Sequence, residues 1–343
     1  MKNKIAIASA FLAASSFSMG EIVINDFLSF EGFVDMSYTH TDVDADLGEA
    51  SDNSFQIDQV EIDWLFDFDP VTAQVDLEYE EAGDSLEVEQ AFATYHMDNG
   101  GAITAGRYAS MLGFEAFEPT GLYQYSFAYD LGVLLPGYNQ GVKFTYETDM
   151  TFFGFSVQDS TITDAYDNRL GGNDNDDTTD DGGFGLEAAF GYYMDNGLSF
   201  FVGAATEDGD DGDSWVINSY VTFETGAWIF AAEVNYGESD MDYQAFGIGS
   251  DVDDVEILSA LIMASFAYSE QGSLTGRISY IDGEESDAVL GGYDYDYLKY
   301  TIAHAWAFTD NLLLVTEVSF ADGEIDSDDI DTLSGAVELL FSF

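Results

Sequence analysis

The chain has 343 residues and a formal net charge of −60, because 67 Asp and Glu residues oppose seven Lys and Arg residues. A chain this acidic does not bind nucleic acid or anionic lipid through its own surface charge. Because it contains no cysteine, it has no disulfide and no thiolate metal site. Its aromatic content of 15% argues against intrinsic disorder.

The first predicted element is a secretory signal peptide at residues 1–20. Lys2 and Lys4 precede an apolar run over residues 5–14, and small residues follow it. The run is too short to cross a bilayer as a helix, and no later stretch reaches about 20 apolar residues. A helical membrane protein is therefore excluded, and residues 21–343 are expected to form the mature domain.

The mature chain is dominated by segments in which apolar and polar residues alternate, the period that predicts β-strands. Residues 71–79, with the sequence VTAQVDLEY, show this alternation most plainly. About sixteen strand candidates follow one another, at residues 28–40, 55–68, 71–80, 86–97, 101–107, 140–148, 150–158, 184–194, 197–206, 215–224, 227–236, 254–268, 273–282, 295–308, 312–321 and 331–343. An even number is typical of bacterial outer-membrane β-barrels.

The connections between these segments alternate between tight turns and mostly longer, acidic segments. The tight turns are predicted at residues 69–70, 98–101, 148–149, 195–197, 225–226, 269–272 and 309–311. The other set lies at residues 42–54, 81–85, 108–139, 159–183, 207–214, 237–253, 283–294 and 322–330 and holds more than half of the acidic residues. Short turns on one rim and long loops on the other indicate a barrel with periplasmic termini and external acidic loops.

The last strand ends on Phe343, and its apolar residues occupy alternate positions. It resembles the C-terminal strand that the outer-membrane assembly machinery recognises. Aromatic pairs near strand ends, such as Trp228 and Phe230, fit the girdles of a membrane barrel, although aromatics favour any strand. We therefore predict an all-β fold, a transmembrane antiparallel up-and-down β-barrel of about 16 strands, in preference to a soluble sandwich.

Residues 108–139 form the longest connection and the third on the long-loop side. This segment is rich in aromatics and contains few acids, which suits a chain packed inside the lumen, since an exposed loop this apolar would favour aggregation. We predict that it folds inward and narrows the barrel. The alternative is a hidden hairpin that pairs residues 121–128 with residues 132–136.

The region around this connection resembles the porins of the putative β-barrel porin-2 family. In that family a Gly-Lys/Arg strand end leads to a Gly-x-Glu segment, a Pro and later a Gly-Val-Arg/Lys strand. The matching positions here are Gly106, Arg107, Gly113, Glu115, Pro119, Gly141, Val142 and Lys143. The resemblance covers about 40 residues and implies an outer-membrane channel of unspecified solute.

Four basic residues of the mature chain lie in predicted strands. Alternation places Lys143, Arg277 and Lys299 on the lumen side, where a cation avoids the cost of about 2–4 kcal/mol at the lipid midplane; Arg107, at a strand end, is ambiguous. In general porins such cations face carboxylates of the third loop and create a transverse field. The corresponding candidates are Glu115, Glu118 and Asp130. The alternative is that each cation pairs with a neighbouring wall carboxylate.

The acidic loops offer the oxygen ligands that Ca²⁺ and Mg²⁺ prefer. The weak candidates are Asp174, Asp176, Asp177, Asp210 and Asp211. They could bind divalent cations loosely and bridge to lipopolysaccharide phosphates, or simply form a solvated anionic rim. We expect no other cofactor and no enzyme activity, because the three histidines stand apart from any recognisable catalytic partner.

Two functions remain open at this stage. The first is an outer-membrane porin with a water-filled channel for small hydrophilic solutes and a preference for cations, because a wide barrel leaves an aqueous path. The second is a non-conducting barrel that acts as an adhesin or structural protein through its acidic loops. Outer-membrane lipid and lipopolysaccharide are the expected surroundings, and assembly into a homotrimer is left open.

Overall fold

The computed structural model of the protein describes residues 20–46, 48–80, 85–129, 134–159, 184–209, 212–239, 254–286, 292–326 and 328–343. These residues form one antiparallel sheet. Its strands are β1 (Ile22–Asn25), β2 (Leu28–Ala45), β3 (Gly48–Asp67), β4 (Val71–Glu80), β5 (Ser85–His96), β6 (Gly101–Ala109), β7 (Tyr138–Glu147), β8 (Thr151–Gln158), β9 (Phe184–Tyr193), β10 (Leu198–Gly209), β11 (Gly212–Thr225), β12 (Trp228–Ser239), β13 (Asp254–Ala267), β14 (Gly272–Ser286), β15 (Tyr293–Thr309), β16 (Leu312–Ile325) and β17 (Asp328–Ser342). A short 3-10 helix spans Pro119–Gly121.

Strands β2 to β17 close into a 16-stranded barrel, so the predicted fold is confirmed. Each strand pairs with its neighbours in the chain, and β17 pairs with β2 to close the ring. The extra strand β1 pairs with β2; the sequence prediction missed it because four residues show too little alternation. Within the described ranges, no helix is long and apolar enough to cross a membrane; this finding concerns helices and not strands.

The two faces of the barrel wall differ in chemistry, as the alternation predicts. Along β12, Trp228, Phe230 and Val234 expose their side chains on the outer face, whereas Glu233 and Asn235 are buried on the inner face. The outer face can meet lipid hydrocarbon without burying a polar group, because the ladder satisfies the backbone. The inner face therefore carries the polar chemistry of the protein.

A charge on the outer face should destabilise the barrel according to its depth. On β13 the side chain of Ile262 is 56% exposed near the strand centre, and that of Leu258 is 37% exposed nearer the acidic rim. We expect Ile262→Arg to lower the free energy of unfolding by about 2–4 kcal/mol and Leu258→Arg by about 0–1 kcal/mol. Urea unfolding in lipid vesicles measures both, and equal losses would contradict a lipid-facing wall.

Three of the predicted long loops are wrong, because strands continue through them. The sheet extends β2 and β3 to 18 and 20 residues, and only residues 46–47 connect them. Strands likewise leave only residues 210–211 and 326–327 as connections. Acidic residues indicate loops because Asp is depleted in strands. Here, however, the backbone ladder continues, and Asp42 and Asp44 within it remain exposed to solvent.

The predicted tight turns are all present as short connections on the other rim. Gly197 shows why one of them needs glycine. Its φ is 84°, and a Cβ atom at this position would overlap the backbone carbonyl of Glu224. The tight turn predicted from Asn196 and Gly197 therefore reflects a steric requirement for glycine at position 197.

The seam between β17 and β2 closes the barrel at the chain end. The backbone N–H of Phe343 donates to the carbonyl of Gly32, and the N–H of Gly32 donates to the carbonyl of Phe343, both at 2.9 Å. The Phe343 ring packs beside Phe30 and Phe341, with ring centroids 6.3 and 5.8 Å away. The terminal aromatic is therefore part of the closure.

Candidate functional site

Residues 110–129, which follow β6, cross the interior of the barrel. On one side, the backbone N–H of Gly113 donates to Oδ1 of Asn218 on β11 at 3.2 Å. On the other, Nε2 of Gln59 on β3 donates to Oε2 of Glu118 at 3.0 Å. Strands β3 and β11 lie on opposite sides of the 16-stranded ring. Residues 110–129, called the lumen segment below, thus bridge opposite walls, and none of them forms a strand.

Arg277 on β14 holds the lumen segment in place. Its Nη1 donates to Oε1 of Glu115 at 2.5 Å and to the carbonyl of Ser126 at 2.8 Å, and its Nη2 donates to the carbonyl of Phe127 at 2.8 Å. Lys299 on β15 donates to the same Phe127 carbonyl at 3.1 Å. Two of the basic residues singled out from the sequence therefore contact the segment directly.

Glu115 connects Arg277 to two further residues of the lumen segment, Gln124 and Ala128. Its Oε2 accepts from the backbone N–H of Ala128, and its Oε1 accepts from Nε2 of Gln124, both at 2.7 Å. The Arg277 side chain is fully buried and that of Glu115 is 10% exposed, so the ion pair lies out of water. Opposite charges are in direct contact here, rather than separated across an open lumen.

Loss of the Arg277 anchor should be costly. Arg277→Met leaves Glu115 buried without its partner, and we expect the free energy of unfolding to fall by about 3–5 kcal/mol. Glu115→Gln and the double variant complete a double-mutant cycle, measured by urea unfolding in lipid vesicles. Because the two side chains touch, the losses should be strongly non-additive; losses that simply add would contradict the pair.

A second polar anchor involves Glu233 on β12. The backbone N–H of Phe114 donates to its Oε1 at 2.7 Å, and the hydroxyl of Tyr129 donates to its Oε2 at 3.0 Å. Burial raises the pKa of Tyr129 above its usual range, and the charge of Glu233 adds to this effect. The phenol therefore stays protonated and remains a donor.

Apolar packing completes the contact between the segment and the wall from β8 to β15. Leu112, together with Leu134 beyond the segment, packs against inward aliphatic residues of β10, β11, β13 and β14. A second cluster surrounds Phe114 and Ala128. Its wall members are Phe152, Ala189, Phe201, Tyr220, Ala231, Leu261 and Met263. This part of the inner wall is covered by the segment and excludes water.

The wall formed by β3, β4 and β5 is chemically different, since it buries a group of carboxylates. Its buried members, with at most 6% exposure, are Glu61, Asp63, Asp76, Glu78 and Glu89. Sequence reasoning did not select them. Alternation does place Asp76 and Glu78 on the polar face of β4, but their neighbours depend on strand register.

The other predicted site residues have the following places. Arg107 is 2% exposed and donates from Nε to the backbone carbonyl of Glu89 at 2.7 Å, which shows that it points inward. Lys143 donates to the carbonyl of Ala109 at 3.2 Å and lies 4.2 Å from the centre of the Tyr108 ring. Glu118 accepts from the hydroxyl of Tyr138 at 2.9 Å. Asp130 and the candidate metal ligands Asp174, Asp176, Asp177, Asp210 and Asp211 lie outside the described residues.

Comparisons with solved structures identify outer-membrane proteins of the same fold, among them a channel and a porin. The channel DcaP of Acinetobacter baumannii is 13% identical with a TM-score of 0.64, over 92% of this chain and 97% of that one. The anion-selective porin of Comamonas acidovorans is 12% identical with a TM-score of 0.62, over 92% and 99%. The trimer form of OmpT, an outer membrane protein of Vibrio cholerae, is 11% identical with a TM-score of 0.61, over 92% and 99%.

Sequence comparison decides the family. A search of curated proteins gave no match. The family model described as "Putative beta-barrel porin-2, OmpL-like" matches residues 28–343, which include every strand of the barrel. The sequence-based family prediction and the predicted outer-membrane location are thereby confirmed. The chain therefore belongs to this β-barrel porin-2, OmpL-like family of the bacterial outer membrane.

Proposed function

We propose that the protein is a diffusion channel for small hydrophilic solutes and that it prefers cations. Its family and fold are those of porins, which are typically channels without enzyme activity. The observation that supports a cation preference is the excess of carboxylates on the inner wall over the four basic residues described above. The buried carboxylates are Asp35, Glu61, Asp63, Asp76, Glu78, Glu89, Glu187, Glu207, Glu233, Glu285, Glu317 and Glu338.

The acidic rim adds to this negative field. The hairpin of β2 and β3 carries exposed acids at Asp42, Asp44, Glu49 and Asp52. A negative mouth concentrates cations and repels anions before they enter the lumen. The fold alone does not set this preference, since the Comamonas acidovorans porin of similar structure is described as anion-selective.

The experiment that tests the channel is a recording from the purified, folded protein in a planar lipid bilayer. We expect discrete, ion-conducting steps, because 16 strands are enough to enclose an aqueous path. A heat-unfolded sample is the control, since it retains the sequence but not the barrel. Folded protein that inserts without conductance would contradict the proposal.

One observation favours the second candidate function, a non-conducting adhesin or structural barrel. The β2–β3 hairpin has strands of 18 and 20 residues, whereas about 9–11 residues suffice to cross the membrane. Its outer part is therefore an acidic surface that projects from the cell. Attachment of cells to a cationic surface, compared with cells carrying a barrel without residues 42–53, tests this function independently of conductance.

The partners follow from the same features. We propose contacts with outer-membrane lipid and lipopolysaccharide along the exposed apolar face, and recognition of β17 by the assembly machinery. Three barrels are proposed to associate, since the similar Vibrio cholerae protein is described in a trimer form. Mass measurement of the protein in detergent and after mild cross-linking distinguishes a monomer from a trimer.

A further inference from the structure

Two groups of three carboxylates meet inside the barrel and share Glu61. The first group consists of Glu61, Asp63 and Asp76, and the second of Glu61, Glu89 and Glu118. Within each group every residue offers a carboxylate oxygen, and these oxygens all lie within 4.8 Å of one another. Four of the five residues come from the wall of β3, β4 and β5, and Glu118 comes from the lumen segment.

Strand register brings these like charges together. Asp63 on β3 lies directly opposite Asp76 on β4. On β5, Val88 and Gln90 are both paired with β4, whereas Glu89 between them is the extra residue of a bulge, a feature that redirects a side chain. Like charges directly opposite each other destabilise a sheet. The arrangement therefore needs a bound proton or another positive charge to offset the repulsion.

The amide donors that contact Glu61 and Asp76 carry no charge. Neutral amides donate to the carboxylates: Nε2 of Gln59 reaches Oε2 of Glu61 at 3.1 Å, and Nε2 of Gln74 and of Gln90 reach Oδ2 of Asp76 at 2.9 and 2.8 Å.

Three carboxylate oxygens of the two groups are buried without any hydrogen-bond donor. They are Oδ1 of Asp63, Oδ1 of Asp76 and Oε2 of Glu89. Asp63 is 4% exposed, Asp76 is 0% exposed and Glu89 is 6% exposed, so water does not solvate them. A buried carboxylate oxygen without a donor is strongly destabilising unless a proton or a metal cation neutralises the charge.

We infer that Glu61, Asp63, Asp76, Glu89 and Glu118 form a binding site for a hard divalent cation, Ca²⁺ or Mg²⁺. The ligand set is all oxygen and contains no histidine or thiolate, which suits these ions rather than soft metals. Glu118 is only partly buried and lies on the lumen side, where an ion can enter. The bound ion links Glu118 of the lumen segment to the wall. Its binding is independent of whether the protein conducts ions.

Calcium binding to the folded wild-type protein in detergent tests the site. Equilibrium dialysis against Ca²⁺ alone in 1 M KCl is the appropriate measurement, because the Debye length of about 3 Å suppresses loose binding by the acidic rim. We expect saturable binding that Glu61→Gln weakens at least about tenfold, since Glu61 belongs to both groups. The control is Glu338→Gln, which removes a buried inner-wall carboxylate outside the groups and should leave affinity within about twofold.

Asp76→Asn is the second variant, in case Glu61→Gln does not fold, and it should also weaken binding. Calcium should raise the midpoint of thermal unfolding of the wild-type protein and of Glu338→Gln, but not that of Asp76→Asn. Wild-type protein without saturable binding overturns the proposal whatever the variants do. Equal affinity in the wild-type protein and a folded Glu61→Gln or Asp76→Asn variant also overturns it, because the calcium would then bind elsewhere.

Discussion

Removal of residues 115–129 should raise the single-channel conductance at least about twofold, because these residues bridge opposite walls of a barrel otherwise wide enough for an aqueous channel. The deletion removes Glu115 and the carbonyls of Ser126 and Phe127, which are partners of Arg277. It is therefore best combined with Arg277→Met, so that no buried guanidinium is left without an acceptor.

The matched control deletes residues 162–176, a segment of equal length in the connection between β8 and β9. Its conductance should stay close to that of the wild-type protein if the lumen segment limits the ion flow. Both variants must show the β-sheet circular dichroism of the folded barrel. An unchanged conductance in the folded 115–129 deletion would show that the narrowest point lies elsewhere.

Cation preference should be the second large effect, and it should depend on salt. We expect a reversal potential of cation-selective sign across a KCl gradient at low concentration, with selectivity declining as salt rises. The Debye length is about 30 Å at 0.01 M and about 3 Å at 1 M, so concentrated salt screens the rim. The carboxylates of the inner wall should be screened less, and a residual preference should persist.

Charge-neutral variants separate the two contributions. Asp42→Asn with Asp44→Asn removes two acids from the projecting hairpin and should reduce selectivity mainly at low salt. Glu317→Gln alters the inner wall, where its Oε2 accepts from the backbone N–H of Ser126 at 3.1 Å, and should act at all salt concentrations. Anion selectivity of the wild-type protein at low salt would instead show that the basic residues of the lumen control permeation.

Much of the barrel could be predicted because alternation is a local property. It identifies the strands, and it places Lys143, Arg277 and Lys299 on one face without knowledge of any neighbour. The direction of the Arg107 side chain could not be predicted in this way, because Arg107 lies near the end of the predicted strand. It directly follows Gly106, whose φ of 133° interrupts the regular strand geometry. Its inward direction becomes clear only from its burial and its contact with Glu89.

The candidate site could be predicted only in part, because its contacts depend on register and on a loop. Nothing in the local sequence states that Asp63 and Asp76 face each other. Likewise, alternation cannot show that Arg277 reaches Glu115, 162 residues away in the chain. The prediction of a loop at residues 42–54 is wrong for another reason. Acidic composition indicates solvent exposure, and exposure does not exclude a strand.

The seam at Phe343 has a consequence for biogenesis. Strand β17 pairs with β2, the barrel strand farthest from it along the chain. Until these two strands meet, the sheet has two open edges that can pair with other chains. Closure over so large a sequence separation is slow. A variant without residues 328–342 should therefore aggregate rather than close into a smaller barrel, so the pairing of one strand decides whether the whole sheet has a free edge.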